Sequence, residues 1–79
     1  MEETLRDVRG REVRPRSPRQ AAKIGALQRT NPDRLLFLGQ DEDGTVHFSL
    51  RLTYRHGHPR GPEAGAVSSD GELRWLRPD

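Results

Sequence analysis

The chain is predicted to adopt an α+β fold, one helix packed on a three-stranded antiparallel meander. Three observations carry that prediction. Val46, Phe48, Leu50, Leu52 and Tyr54 alternate without a break with Thr45, His47, Ser49, Arg51, Thr53 and Arg55. That period of two marks a strand with one buried face and one wet face. Ser17-Pro18 opens a stretch whose apolar residues recur at helical spacing. The apolar run Leu35–Leu38 and the short strand-like segment Leu73-Arg74-Trp75-Leu76 lie next to turn-forming residues.

Residues 1–16 are polar and arginine-rich, and Gly10 and Pro15 interrupt them. They read as a basic N-terminal arm. The arm is either mobile, as chain ends with few apolar anchors are, or folded back about Gly10 as a hairpin or edge strand. Residues 17–79 read as a single small α+β domain. Ser17 is placed as the helix N-cap, and Pro18 at the first helical position, where its missing N–H costs nothing. The helix then runs from 18 to about 30. Ala21, Ile24 and Leu27 share one face, flanked by Gln20 and Gln28. Arg19, Lys23 and Thr30 share another. Gly25 is expected to let the helix approach the sheet closely. Asn31 is expected in a left-handed conformation, with Pro32 preventing continuation.

Leu35-Leu36-Phe37-Leu38 is expected as a strand over 35–40, covered at least in part on both faces. Asp41–Gly44 is the hairpin turn. The alternating strand follows from 45 to about 55, its even-numbered residues facing the helix. Residues 57–66 hold three glycines and two prolines and read as a long loop. Ser68–Gly71 is a second turn. A last strand over 72–76, with Leu73 and Trp75 inward, is closed by Pro78. The alternative architecture is a small all-β barrel with the helix at its edge.

Sixteen of the 79 residues are Leu, Ile, Val or Phe, and residues 1–20 supply only Leu5, Val8 and Val13 of these. The core is therefore expected from the C-terminal three quarters. A core of that size leaves a net stability on the order of 3–5 kcal/mol, which makes self-association, or a partner covering one face, a reasonable expectation. The absence of cysteine excludes disulfides, thiolate metal sites and cysteine nucleophiles. No apolar run approaches the roughly 18 residues of a membrane span, and Met1-Glu2-Glu3 lacks a signal core. A cytoplasmic location is the expectation.

The formal charge of +2 is unevenly placed. Residues 1–34 carry nine basic and five acidic side chains, and residues 35–79 carry five and seven. A basic arm on a near-neutral body attracts polyanions. Its candidate contacts for nucleic acid are Arg6, Arg9, Arg11, Arg14 and Arg16, extended along the helix by Arg19 and Lys23. Specificity would need Arg19, Gln20 and Lys23 presented by the helix. The outer face of the long strand carries no aromatic residue, which argues against a base-stacking sheet.

Catalytic, cofactor and metal roles find no support in the pattern. There is no serine elbow, HExxH or glycine-rich phosphate loop. His47, His56 and His58 do not converge by strand parity. The chain thus reads as a small non-enzymatic binding module without cofactor, its arm and helix face contacting DNA or RNA. The alternative is a protein–protein interaction module, a regulator, inhibitor or assembly subunit, without nucleic-acid contact. It would meet an acidic protein surface, or a second copy in a homodimer, through a sheet edge or the 57–66 loop.

Overall fold

A computed structural model describes residues 5–76. The first four residues of the arm and the Pro78 terminator lie outside the described residues. One helix, α1 (Pro18–Thr30), is followed by β1 (Leu35–Gln40), β2 (Val46–Leu50), β3 (Thr53–Arg55), β4 (His58–Arg60), β5 (Glu63–Val67) and β6 (Leu73–Leu76). The α+β class and the helix bounds are as expected. The sheet is larger than expected. It has four strands in the order β1-β2-β5-β6, and β3-β4 forms a separate two-stranded ribbon.

The β1–β2 hairpin pairs Leu35 with Leu50 and Gln40 with Val46, with an irregularity between Phe37 and Gly39. Its turn closes through Asp41 N–H to Thr45 O at 2.8 Å and Gly44 N–H to Asp41 O at 2.9 Å, with Gly44 at φ 93°. Asp43 adds its carboxylate as acceptor for the Thr45 N–H at 2.9 Å. β1 is not covered on both faces. Phe37 is buried, but Leu36 and Leu38 are exposed.

The predicted long strand breaks after Leu50. Arg51 N–H still bonds to Arg34 O at 2.9 Å, and the chain then leaves the sheet. Leu52 and Tyr54, expected against the helix, are 48% and 71% exposed. The cause is a second hairpin. Arg55 pairs with His58, and His56 and Gly57 between them both take positive φ, 53° and 80°. Two positive-φ residues at the tip make the turn type that matches strand twist.

Most of the supposed 57–66 loop is therefore strand. β5 runs antiparallel between β2 and β6, pairing Phe48 with Gly65 and Gly65 with Trp75. Alanine and glycine have little strand propensity of their own. Here the pairing needs them small. A Cβ on Gly65 would lie 2.7 Å from Arg74 O and 2.8 Å from the Phe48 ring. Phe48 fills that space and meets Trp75 edge to face at a centroid distance of 5.5 Å.

α1 lies against β5. Ile24 and Leu27 join Phe37, Val46, Phe48, Leu50 and Val67 in one core, and Val13 of the arm belongs to it too. Leu5, Leu35 and Leu73 pack around it. The core is thus not confined to the C-terminal three quarters. The buried spine of the helix is Gln20, Ile24 and Leu27, whereas Ala21 is exposed. Asn31 caps the helix at φ −132°, not left-handed, and its N–H bonds to Leu27 O. Gly25 makes no close approach to the sheet. A Cβ there would meet only the Arg29 guanidinium, at 3.4 Å.

Gln20 is wholly buried and its amide is fully used. Its Oε1 accepts from Arg16 N–H at 2.6 Å. Its Nε2 donates to Gly44 O at 2.7 Å and to Val67 O at 3.2 Å.

Replacing Gln20 with Leu should cost about 2–4 kcal/mol, because the Arg16 N–H loses its acceptor and the Gly44 and Val67 carbonyls each lose a donor. The same change at exposed Gln28 should be nearly neutral, and urea denaturation of the two variants separates them. Gly25→Ala should stabilise the protein by about 0.5–1 kcal/mol. Gly65→Ala should destabilise it by about 1–3 kcal/mol through overpacking. Equal midpoints for these two glycine variants would contradict the packing described.

Candidate functional site

The geometry of the arm is set by Asp7. Its Oδ1 accepts from the N–H groups of Arg9 and Arg11, at 2.8 and 2.9 Å. The backbone turns at Gly10, φ 81°, and comes back with Val13 N–H on Leu5 O at 2.8 Å. Two contacts fasten this turn to β1. Val8 N–H donates to Phe37 O at 2.8 Å. The Gln40 side-chain amide takes Arg14 N–H at 2.9 Å and gives to Arg14 O at 2.6 Å. Side chains and backbone acceptors thus hold the main chain, and the side chains of Arg9, Arg11 and Arg16 are not used in doing so.

The seven candidate basic residues fall into three groups. Arg9, Arg11 and Arg16 line one cleft of about 530 Å³, together with Asp7, Glu12, Asp41 and His47. Their guanidinium groups make no hydrogen bond or ion pair among the described residues. Arg6 and Arg14 are spent within the arm. The Arg6 guanidinium donates to Gly10 O at 2.8 Å, and Arg14 pairs with Glu12 at 2.8 Å. Arg19 and Lys23 line a second groove of about 330 Å³ with Ala22, Ala26 and Gly71. Lys23 also borders a third, of about 300 Å³, whose walls include Leu27, Asn31, Leu50, Leu73 and Trp75.

The acids near the first cleft already have partners. Asp7 holds the turn. The hydrogen bond from Arg14, helped by the charges of Arg14 and Arg6, keeps the Glu12 carboxyl below its ordinary range. Asp41 Oδ2 lies 2.7 Å from His47 Nε2. The cleft therefore presents three guanidinium groups without a hydrogen-bonded partner, within a lining that also carries the carboxylates of Asp7, Glu12 and Asp41.

Gln20 does not belong to any presented surface. The helix turns it inward, and its amide is consumed by the backbone contacts above. The composition of the helix face hid this, but the spacing Ser17-x-x-Gln20 is a capping-box pattern that could have shown it. Ser17 Oγ accepts from Gln20 N–H at 3.1 Å and donates to Ser69 O at 2.6 Å. The Gln20 side chain reaches back one residue further than in the usual box, to Arg16. The His47–Asp41 pair and the groove beside Trp75 had no sequence signal, since each depends on pairing between elements.

Among the described residues no helix is long and apolar enough to cross a membrane, and no three His, Asp or Glu side chains gather to hold a metal ion. No protein-family model matches the chain, and no curated protein or solved structure shows significant similarity to it.

At the β5–β6 turn, Asp70 accepts from the Ser68 hydroxyl. That bond, the backbone at Glu72 and the nearby Arg19 charge hold its pKa below the ordinary aspartate range. A carboxyl depressed in the folded state contributes stability above its unfolded value of about 3.9, and loses it as pH falls through the folded value. Asp70→Asn should therefore lower the thermal midpoint slightly at pH 7, and the gap should close as pH drops below about 4. The residue is exposed, so added salt should shrink the effect. A gap that stays constant down to pH 2.5 would mean that the charge is not its source.

Proposed function

We propose that the protein is a small non-enzymatic module that binds nucleic acid through the arginines of its N-terminal turn. The observation that supports this reading most is the first cleft. Arg9, Arg11 and Arg16 line it without hydrogen-bonded partners for their guanidinium groups, while the carboxylates that share the lining bond to the arm's backbone (Asp7), to Arg14 (Glu12) and to His47 (Asp41). Guanidinium groups held in this way suit phosphate oxygens, which they meet through paired N–H donors. Contacts of this kind position a nucleic acid by its backbone and carry little sequence information. Arg19 and Lys23 extend the basic surface along α1. Arg6 and Arg14 contribute to the shape of the arm and to the local field more than to direct contact.

A second reading, a protein-interaction module, has its own support. The outward face of the sheet carries Leu36 and Leu76, both exposed, beside the small residues Ser49 and Ala64 in one row across the strands. The outer edge of β1 is partly occupied by Val8 and Arg14, which leaves β6 as the edge for pairing with a second copy or another chain.

Point substitutions test the first reading better than truncation, because Val13 of the arm is part of the core. Arg9, Arg11 and Arg16 changed together to Gln should weaken binding to DNA and RNA probes. The slope of log affinity against log salt should flatten by about two for a single-stranded probe, roughly 0.7 per lost contact. Arg29→Gln, at the far end of α1, should change little. Fluorescence anisotropy at about 50 and about 200 mM salt reads both effects. Unchanged affinity in the triple variant, or no binding to any probe at the lower salt, would remove this reading and favour the second.

A further inference from the structure

We infer that the groove between α1 and β6 receives an unpaired base of a single-stranded nucleic acid, stacked on Trp75. The inference rests on the nucleic-acid reading above and narrows its ligand from any polyanion to a strand with exposed bases.

Trp75 is 42% exposed although it lies on the inward side of an edge strand. The helix covers β5, and the ring of Trp75 touches Phe48 edge to face. One flank of the indole thus remains open toward α1. The groove there is about 300 Å³, the lower end of the size of small-ligand sites. Its floor is apolar, with Leu27, Leu50 and Leu73. Asn31 stands at its side and gives its Nδ2 to Leu27 O at 3.2 Å. The Asn31 side-chain oxygen has no partner among the described residues and remains for a base N–H.

The groove itself is lined by two cations, Lys23 and Arg34, and one carboxylate, Glu63. Lys23 and Ala26 line both this groove and the adjoining one that holds Arg19. Arg19 and Lys23 are four residues apart, neighbours on one helix face. The main chain leads from Arg16 in the arginine cleft to Arg19 and then to Lys23. Two cations of the helix, Arg19 and Lys23, thus border an apolar slot with an aromatic wall. A base with its phosphate outside matches that sequence of surfaces. In a duplex the bases are already stacked and cannot reach Trp75, so the slot calls for single strands.

Trp75 is the only tryptophan, so its emission reports this groove alone. The full chain is titrated with a twelve-residue oligothymidylate, with a duplex, and with heparin, a polyanion without bases. Oligothymidylate should quench Trp75 emission with the same midpoint as its anisotropy. Heparin and duplex should bind with emission unchanged. Trp75→Leu should weaken oligothymidylate binding about 5- to 150-fold, the loss expected for one stacked base, and leave heparin binding intact. Trp75→Phe keeps an aromatic face and should stay close to the parent, while circular dichroism checks that both variants fold. Oligothymidylate binding with silent Trp75 emission and an unaffected Trp75→Leu would overturn the stacking site but leave the arginine cleft standing. Equal quenching by heparin would also overturn it. Failure of every nucleic acid to bind would overturn both readings.

Discussion

The side-chain amide of Gln20 is the contact on which the rest of the arrangement depends. It joins the end of the arm at Arg16 to two segments that meet at the Val46–Val67 pairing, the β1–β2 turn at Gly44 and the end of β5 at Val67. A buried polar group is costly unless every partner is present, and when all are present it fixes a single arrangement. Rotation of the helix follows directly. With Gln20 inward, Ile24 and Leu27 enter the core, and Lys23 comes to the border of the grooves beside β6. The placement of the basic helix residues is thus a by-product of a buried amide.

Gln40 plays a parallel part at the surface. Its amide reads both backbone groups of Arg14 and also gives to Gly44 O at 3.0 Å, so that carbonyl accepts from two glutamines. Between them the two glutamines hold the returning limb of the arm by its main chain. A small domain gains in two ways. The arm delivers Val13 and Leu5 to a core that is otherwise thin. Arg9, Arg11 and Arg16, whose side chains take no part in the attachment, keep their guanidinium donors for something else.

The sequence was most legible where local chemistry and packing agree. Ser17 and Pro18 started the helix as expected, and Asp41–Gly44 with the alternation of Val46, Phe48 and Leu50 defined the first hairpin. Reading failed where one residue served a neighbour. Glu63–Val67 looked like loop because its alanines and glycine are poor strand formers, yet Phe48 needs the space above Gly65. The alternation through Leu52 and Tyr54 looked like continued strand, although His56-Gly57 is a hairpin tip and histidine tolerates positive φ better than most residues. Gln20 looked like a flank because polarity is a poor guide to burial when three backbone groups wait for an amide. Composition groups the seven basic residues together, whereas the folded arrangement divides them into cleft, arm and helix groove.

The β3–β4 ribbon has a further meaning. β2 ends at Leu50, and β5 begins opposite it, with Leu50 paired to Glu63. Residues 51–62 therefore leave the sheet and return to the point of departure. Closing such an excursion costs entropy that grows only with the logarithm of its length. The central pairing is indifferent to whether the excursion is long or short. This segment is where the chain can lengthen, shorten or acquire a foreign peptide during evolution while the Phe48–Gly65–Trp75 layer persists unchanged.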